Sequence, residues 1–386
     1  MNEENKKIVF LITSLEYGGA QTQLIPLAFE LKKLGWEILV VSMRTPEAFV
    51  EDLNKAAISV ASLDMPKGIP DPRAILKLVR ILKDFKPQIL NSHMFHANLL
   101  ARITRLLVKV PVLISTAHNV NEKSSAQDQL DKASWFEIAY RLTDPLSNLT
   151  TTICQAGVDR YVHVKAVPSE KILFIPNSVD TRRFYPDRSV RELVRTSLGI
   201  ENQFCWLAIG RLELQKDYPT MLSAFSILVN QYPDTQLLIC GTGSLQDEIE
   251  NLVFSLKLER NVKLLGVRKD IPQLMNSVDG YVMSSAWEGM PIVLLEASAT
   301  GLPIVSTNVG GNSEVVIHGQ NGFLVPPHDD RALALQMSEL MALTPNQHNN
   351  MSKAGTNHIL NKHQLDKLSN QWNSLYEKTF EEVTNL

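Results

Sequence analysis

The sequence predicts an α/β protein built as two doubly wound domains. Short, nearly continuous apolar runs alternate with amphipathic helical stretches, the pattern of parallel strands covered by helices on both faces. The alternation starts twice, at "KIVFLIT" (7–13) and again at "QFCWLAIG" (203–210). A chain of 386 residues also exceeds what one hydrophobic core usually organises.

In the first half, "KIVFLIT" leads into a helical stretch over 20–34 that Gly35 stops. The runs "EILVVSM", "QILNSH", "VPVLIST" and "TTIC" follow as strands, with helical patterns between them. The stretch "FIPNSVDTRRFYPDRS" has turn residues, two prolines and no helical period, so it reads as the interdomain link. Beyond it, "QFCWLAIG", "TQLLICG", "VKLLG", "DGYVMSS", "PIVST" and "GFLVP" read as strands. From about 329 the chain reads as helical, ending on "LSNQWNSLYEKTFEEV" (368–383). The halves show no convincing sequence repeat. The expected domains are 1–180 and 181–365, with a C-terminal helix over about 366–386 packing back on the first. Two such domains imply a cleft between them, with ligands met by loops at the carboxyl ends of strands.

Bulk chemistry narrows the partners. A net charge of −3 offers no basic face for nucleic acid. Cys154, Cys205 and Cys240 are far apart in apolar surroundings, which fits buried thiols in a reducing compartment and not a disulfide or zinc framework. The first apolar run is too short for a signal peptide and no later run is long enough to span a bilayer, so a cytoplasmic location is expected. The stretches "RAILKLVRILKDFK" (73–86) and "ARITRLLVKV" (101–110) are basic and partly apolar. They suit either ordinary sheet-covering helices or a peripheral contact with the inner face of the cytoplasmic membrane.

The chemistry is concentrated in "SSAWEGMPIVLLEASATGLPIVST" (284–307), where Glu288 and Glu296 have seven residues between them. Strand "GYVMSS" is expected to end near Ser285, and Pro291 suits the first position of the next helix. Glu288 then precedes that helix, and Glu296 lies inside it among Ile292–Leu295 and Ala297. An unpaired buried carboxylate costs several kcal/mol as an order of magnitude, so Glu296 needs ligand hydroxyls or a salt bridge. The helix start over 289–292 offers backbone N–H groups and a positive dipole end. In "AIGRLELQKDYPTMLSAF", Arg211 and Lys216 follow a strand, where they suit a diphosphate; elsewhere such a pair is ordinary solvated surface.

"CGTGSLQDEI" has Gly241 and Gly243, but Gln246 stands where a dinucleotide fingerprint needs its third glycine. Gly18 and Gly19, after the first strand, allow close backbone approach to a ligand or simply a turn. His93 in "QILNSHMFH" and His118 in "LISTAHN" each follow a strand. Nothing completes a metal set around His93 and His96, and the chain has no Asp-x-Asp pair and no G-x-S-x-G elbow. No metal and no cofactor are expected.

Taken together, "GRLELQKD", "GVRKDIPQLMNSVDGYVMSSAWEGMP", "TNVGGNSEVVIHGQNGFLVPPHD", "SLEYGGAQTQL" and "ILFIPNSVDTRRFYP" resemble family 4 retaining glycosyltransferases over nearly the whole chain. That family has the GT-B fold, two Rossmann-like domains facing a cleft. The stretch "NSHMFHANLLARITRLLVKVPVLISTAHN" is further similar to transferases that assemble bacterial capsule, O-antigen or other lipid-linked glycans. Ser178, where glycine is common, and Tyr218 depart from the family pattern in loop geometry only.

The resemblance implies roles by motif. Arg211 and Lys216 would bind the donor diphosphate and stabilise the leaving group. Glu296 would hold the ribose hydroxyls, and Glu288 the transferred sugar, assisted by Gly289, Met290 and Pro291. Gly241 and Arg268 would lie by the nucleobase, Gly18 and Gly19 would face the diphosphate and acceptor, and His118 would sit near the donor sugar, with His93 a further acceptor-side candidate. The reading is a retaining transferase using a nucleotide diphosphate sugar, UDP-linked by expectation, with a glycan or polyprenyl-linked acceptor. The rivals are a nucleotide-sugar 2-epimerase on the same architecture and a nucleotide-sugar-binding protein without turnover.

Overall fold

The structure, a computed structural model, describes residues 6–68, 71–118 and 133–385. The polar tip 1–5 and Asn119, which closes one of the stretches quoted above, lie outside the described residues. Two compact units emerge, Met1–Ser178 with Leu365–Leu386, and Val179–Gln364.

The first unit holds β1 (Lys7–Ile12), β2 (Glu37–Ser42), β3 (Ser59–Ser62), β4 (Ile89–His93), β5 (Val112–Ala117), β6 (Leu149–Thr152) and β7 (Ile172–Phe174). They pair in parallel in the order β3-β2-β1-β4-β5-β6-β7. Strands buried on both faces favour continuous apolar runs, and β1 has one after Lys7: Ile8 to Ile12 are all fully buried. Alternate side chains serve opposite cores. Phe10, Ile12, Val40 and Ile114 meet Leu24, Ala28 and Leu31 of helix Gly19–Lys33 on one face. Val9, Leu11, Val41 and Leu90 meet Leu78 and Leu82 of helix Arg73–Phe85 on the other. Each fully buried Leu or Phe contributes about 1.5–3 kcal/mol.

Helix Leu365–Thr384 joins the first of these faces through Trp372 and Tyr376. Trp36 donates from Nε1 to Asn373 Oδ1 at 2.7 Å, and Lys6 pairs with Glu377 at 2.6 Å. The returning helix is therefore held by core packing and by two polar contacts at its rim.

The second unit holds β8 (Cys205–Ile209), β9 (Gln236–Cys240), β10 (Val262–Gly266), β11 (Gly280–Met283), β12 (Ile304–Thr307) and β13 (Gly322–Val325). Their parallel order is β10-β9-β8-β11-β12-β13. Helices Tyr218–Gln231 and Asp330–Met341 pack Met221, Leu222, Phe225, Leu333 and Met337 against Trp206, Leu237 and Val305. Strand order reverses direction between β1 and β4 in one unit and between β8 and β11 in the other. In open α/β sheets those are the points where ligands bind.

Several elements depart from expectation. Strands β3 and β7 were not anticipated: "SVAS" is small and polar, and "ILF" has three residues, so neither forms an apolar run. β11 ends at Met283, leaving Ser284 and Ser285 to open the next loop. Over 101–110 the helix stops at Thr104. Arg102 is fully buried there, donating to Ser115 Oγ, Tyr140 O, Thr143 Oγ1 and Thr150 Oγ1 at 2.9–3.1 Å. A guanidinium so used is a core strut, unavailable to a bilayer.

Candidate active site

In the second unit, two loops at the carboxyl ends of β8 and β11 assemble the candidate site. The first, 210–217, leaves β8 with Gly210 N–H donating to Cys240 O at 3.0 Å and Leu212 N–H to Thr242 O at 3.0 Å. Asp217 ends it in the left-handed region, φ 45°, and caps helix Tyr218–Gln231 by accepting from Thr220 N–H at 3.3 Å and Thr220 Oγ1 at 2.7 Å. The second loop follows β11, and the two are stitched together. Ser284 Oγ donates to the Lys216 and Asp217 carbonyls, each at 2.8 Å, and Ala286 N–H donates to Gln215 O at 2.9 Å.

This stitching brings Glu288 onto Lys216. The ammonium lies 2.6 Å from Glu288 Oε1, and Gln215 Nε2 donates to Oε2 at 3.2 Å and to Trp287 O at 3.0 Å. Glu288 is buried, so the carboxylate is satisfied on both oxygens. Lys216, expected to bind a diphosphate, is thus half of an ion pair with Glu288. Arg211 differs: it is exposed, and no ion pair engages it among the described residues.

Behind Glu288 the loop after β12 approaches at close range. Gly310 has φ 54°, and a Cβ there would lie 2.1 Å from Glu288 O. Gly311 N–H donates to Gly289 O at 2.5 Å. Only glycine fits at 310, which fixes the backbone height of the Glu288–Met290 segment.

Helix Ile292–Ala299 starts after Pro291, whose ψ of 125° makes it the cap and not the first helical residue. Its extended backbone suits proline equally, so the helix simply begins one position later. Met290 and Pro291 are buried beneath it. Glu296, in the second turn, has no ion pair or hydrogen bond to its carboxyl among the described residues. Burial among apolar neighbours pushes it up to about 8, with Arg183 pulling the other way. The residue as a whole is half-buried, with its carboxyl desolvated.

The remaining donor-side candidates are placed by backbone constraints. Gly241, φ 141°, lies where a Cβ would be 2.0 Å from Gly210 O, and Gly243 where it would be 2.3 Å from Leu212 O. These glycines let the loop after β9 press on the Arg211 loop, which accounts for the partial fingerprint without a dinucleotide. Arg268 follows β10 and forks onto Asp270 at 2.8 and 2.5 Å.

In the first unit, Gly18 is an extended cap and Gly19 the first residue of helix Gly19–Lys33, so Gly19 is helical and not part of the preceding loop. His93 is the last residue of β4 rather than following it. His118 lies directly after β5, and its Nε2 is 3.0 Å from His93 Nδ1. Desolvation holds His118 down to about 4 and His93 well below the usual histidine range, where His118 adds repulsion. Both rings are neutral at physiological pH. No group of three or more His, Cys, Asp or Glu is clustered to hold a metal among the described residues.

The site residues missed from sequence are Gln215, Ser284 and Gly310. All three lie in stretches quoted for the family resemblance, but nothing in their spacing says that they brace Glu288.

Residues 17–183 match the model of Glycosyltransferase Family 4, and residues 190–358 that of Glycosyl transferases group 1. A curated relative, the Escherichia coli UDP-Gal:alpha-D-GlcNAc-diphosphoundecaprenol alpha-1,3-galactosyltransferase, is 32% identical over 80% of this chain and 80% of its own. This chain is a family 4 glycosyltransferase. The fold is GT-B: Anabaena HepE, solved with UDP, superposes with TM-score 0.83 at 23% identity, over 96% of this chain and 100% of that one. Sucrose-phosphate synthase from Thermosynechococcus elongatus superposes with TM-score 0.82 at 18% identity, over 98% and 100%.

Proposed function

We propose that this glycosyltransferase moves a sugar from a UDP-linked donor, with retention at the anomeric carbon, to a lipid-linked acceptor in surface polysaccharide assembly. The observation that carries the reading is the Lys216–Glu288 pair braced by Gln215 at the β8/β11 switch point, beside the uncommitted Arg211. The donor and lipid diphosphate acceptor in the Escherichia coli relative's name support the substrate class. Retention is the expectation that the family's motifs carry.

On this reading the second unit takes the donor. Arg211, Lys216 and the start of helix Ile292–Ala299 face the diphosphate, and their positive charge stabilises the group that departs. Loss of the nucleotide diphosphate leaves an oxocarbenium-like sugar, and preorganised charge at that separation is the main catalytic term. Glu288 then has two duties, since it orients Lys216 and meets the sugar hydroxyls. Glu296 takes the ribose, where two hydroxyls would draw its carboxyl into the ionised form. Gly241 and Arg268 border the base, Gly18 and Gly19 approach the diphosphate, and His118 and His93 serve the sugar side. Metal is not required, because these groups supply the positive charge.

The first unit takes the acceptor. Ile103, Leu106, Leu107 and Leu142 are exposed leucine and isoleucine side chains. Arg105 donates to Leu146 O at 3.0 Å, which joins the turn at 105–107 to the end of helix Trp135–Thr143. Arg141 and Lys109 lie in the same two segments, a composition suited to an anionic bilayer. No helix among the described residues is long and apolar enough to cross a membrane. Sedimentation with phosphatidylglycerol vesicles that Leu106→Asp with Leu107→Asp leaves unchanged would remove this contact.

A screen of nucleotide sugars against synthetic polyprenyl diphosphate glycans, read by mass, tests the function. The expected product is an acceptor heavier by one sugar residue, with free UDP. Isomerised donor in the absence of acceptor would favour an epimerase, and tight donor binding without product a binding protein.

A further inference from the structure

The carboxyl end of the first unit's sheet gathers unspent polar groups where three strands meet. β1 lies between β2 and β4, and Thr13 follows it. Arg44, two residues past β2, donates its N–H to Thr13 O at 3.3 Å. His96 lies in the first turn of helix Phe95–Thr104, which follows β4. Desolvation lowers the His96 imidazole, and the neighbouring Arg44 charge lowers it further. Neither side chain has an ion pair among the described residues. The helix begins without a side-chain cap, and the N–H groups of Phe95, His96 and Ala97 have no partner among the described residues. Leu11 packs in one core with Ala97, so Thr13, two residues on, lies on the same side. Its Oγ1 has no hydrogen-bond partner among the described residues, although Thr13 is only 8% exposed. A guanidinium, uncapped N–H groups and a free hydroxyl at a strand-order switch point suit a phosphate group.

Next to this pole the surface turns apolar. The Phe95 ring lies 5.4 Å from His96 and 5.3 Å from Trp135, which stacks on Phe136 at 3.8 Å. Helix Trp135–Thr143 has inverted polarity. It buries Glu137, paired with Arg160 at 2.7 Å, and leaves Trp135, Ile138 and Leu142 61%, 43% and 75% exposed. Those three share one helix face at spacings of three and four, over roughly 10 Å. An exposed apolar stripe of this kind marks an interaction surface. The charged side chains outside the core on this helix and over 95–109 are Arg105, Lys109 and Arg141, all cationic. A ligand with an anionic head and an apolar chain matches both halves of the surface.

We propose that Arg44, Thr13, His96 and the first turn of helix Phe95–Thr104 bind the diphosphate of a prenyl diphosphate, whose chain lies along Trp135, Ile138 and Leu142. The chain then leads towards Leu106 and Leu107, because Arg105 joins their turn to the end of helix Trp135–Thr143. Inorganic diphosphate carries the same charge without a chain, so the apolar stripe is what selects a lipid. The place of this ligand in the reaction rests on the proposed function, whereas its binding does not depend on transfer.

The test is titration calorimetry of the full-length protein with farnesyl diphosphate, with UDP present to occupy the donor loops. Farnesyl diphosphate should bind about tenfold tighter than inorganic diphosphate or farnesol, since neither fills both halves of the site. Arg44→Ala should weaken it about tenfold or more. Trp135→Ser should also weaken it while leaving inorganic diphosphate unchanged, and Arg211→Ala should bind it as wild type does. In the unmodified protein, which needs no variant to fold, farnesyl diphosphate should shield Trp135, the most exposed tryptophan among the described residues, from acrylamide. Binding that Arg211→Ala abolishes and Arg44→Ala spares would put the diphosphate on the donor loops and overturn the proposal. So would unshielded tryptophan, or a Trp135→Ser variant that loses only a dimer in sedimentation and keeps its affinity. Shielded binding in a protein that transfers no sugar would support the site and sink the proposed function, and transfer to a lipid acceptor without farnesyl diphosphate binding would do the reverse.

Discussion

Replacing Lys216 by alanine strands the Glu288 carboxylate. The two side chains are 17% and 8% exposed and the ion pair is 2.6 Å long, so this is a buried pair and not a surface one. Removing one partner of such a pair costs about 3–5 kcal/mol, because the remaining charge is left desolvated. Gln215 still donates to Glu288 at 3.2 Å, which places the expectation at the lower end, about 3 kcal/mol. For a unit spanning Val179–Gln364, each kcal/mol moves the melting temperature by about 2–4 °C, so Lys216→Ala should lower it by about 6–12 °C. Neutralising the stranded charge as well, in Lys216→Met with Glu288→Gln, should recover more than half of the loss while leaving turnover abolished. Differential scanning calorimetry of the single and double variants reads both effects. A Lys216→Ala melting temperature within about 1 °C of wild type would show the pair to be solvated and refute the reasoning.

Arg211 makes no ion pair among the described residues, so Arg211→Ala should leave the melting temperature unchanged yet weaken UDP binding by about 1.5–3 kcal/mol in titration calorimetry; equal affinity would take it out of the diphosphate site. Glu296 titrates near 8 in the folded chain against an ordinary 4.5. The folded state therefore holds an extra proton between those values, and stability falls as pH rises from about 4.5 through about 8. Glu296→Gln should flatten that slope in melts taken across the same window, and an unchanged slope would assign it elsewhere. If ribose hydroxyls favour the carboxylate, UDP binding at pH 7 should also release a proton, seen as a buffer-dependent binding enthalpy that Glu296→Gln removes. Transfer activity should survive EDTA, and activity restored only by magnesium or manganese would contradict the metal-free expectation.

The fold was largely legible because its parallel strands are buried on both faces, which forces apolar runs such as Ile8–Ile12 and Leu237–Cys240. β3 and β7 escaped because an edge strand of small residues and a three-residue strand leave no such run. At the site, Glu288 and Lys216 were visible as loop residues at strand ends, but their mutual contact was not. It depends on β8 and β11 being neighbours across a crossover, a fact of topology with no local signal. The His93–His118 pair is the same kind of case, set by the β4/β5 register over 25 residues of sequence. Glycine at 310 was readable as a motif, yet its reason, the 2.1 Å approach to Glu288 O, exists only once β12 has placed its loop. Sequence thus marks the loops that carry Glu288 and Lys216, and the fold decides which of their groups neutralise one another.

The division of labour between the two glutamates is the centre of this account, and two variants measured together test it most directly. Calorimetry with UDP and turnover at saturating donor should be recorded for Glu288→Gln and Glu296→Gln. Glu296→Gln should weaken UDP, because an amide accepts fewer strong hydrogen bonds from ribose than a carboxylate does. Glu288→Gln keeps one acceptor oxygen for Lys216, and Gln215 still donates to Trp287 O, so UDP affinity should stay near wild type while turnover falls. Lost UDP binding in Glu288→Gln with intact binding in Glu296→Gln would reverse the roles, and two variants indistinguishable from wild type in both measurements would contradict the account outright.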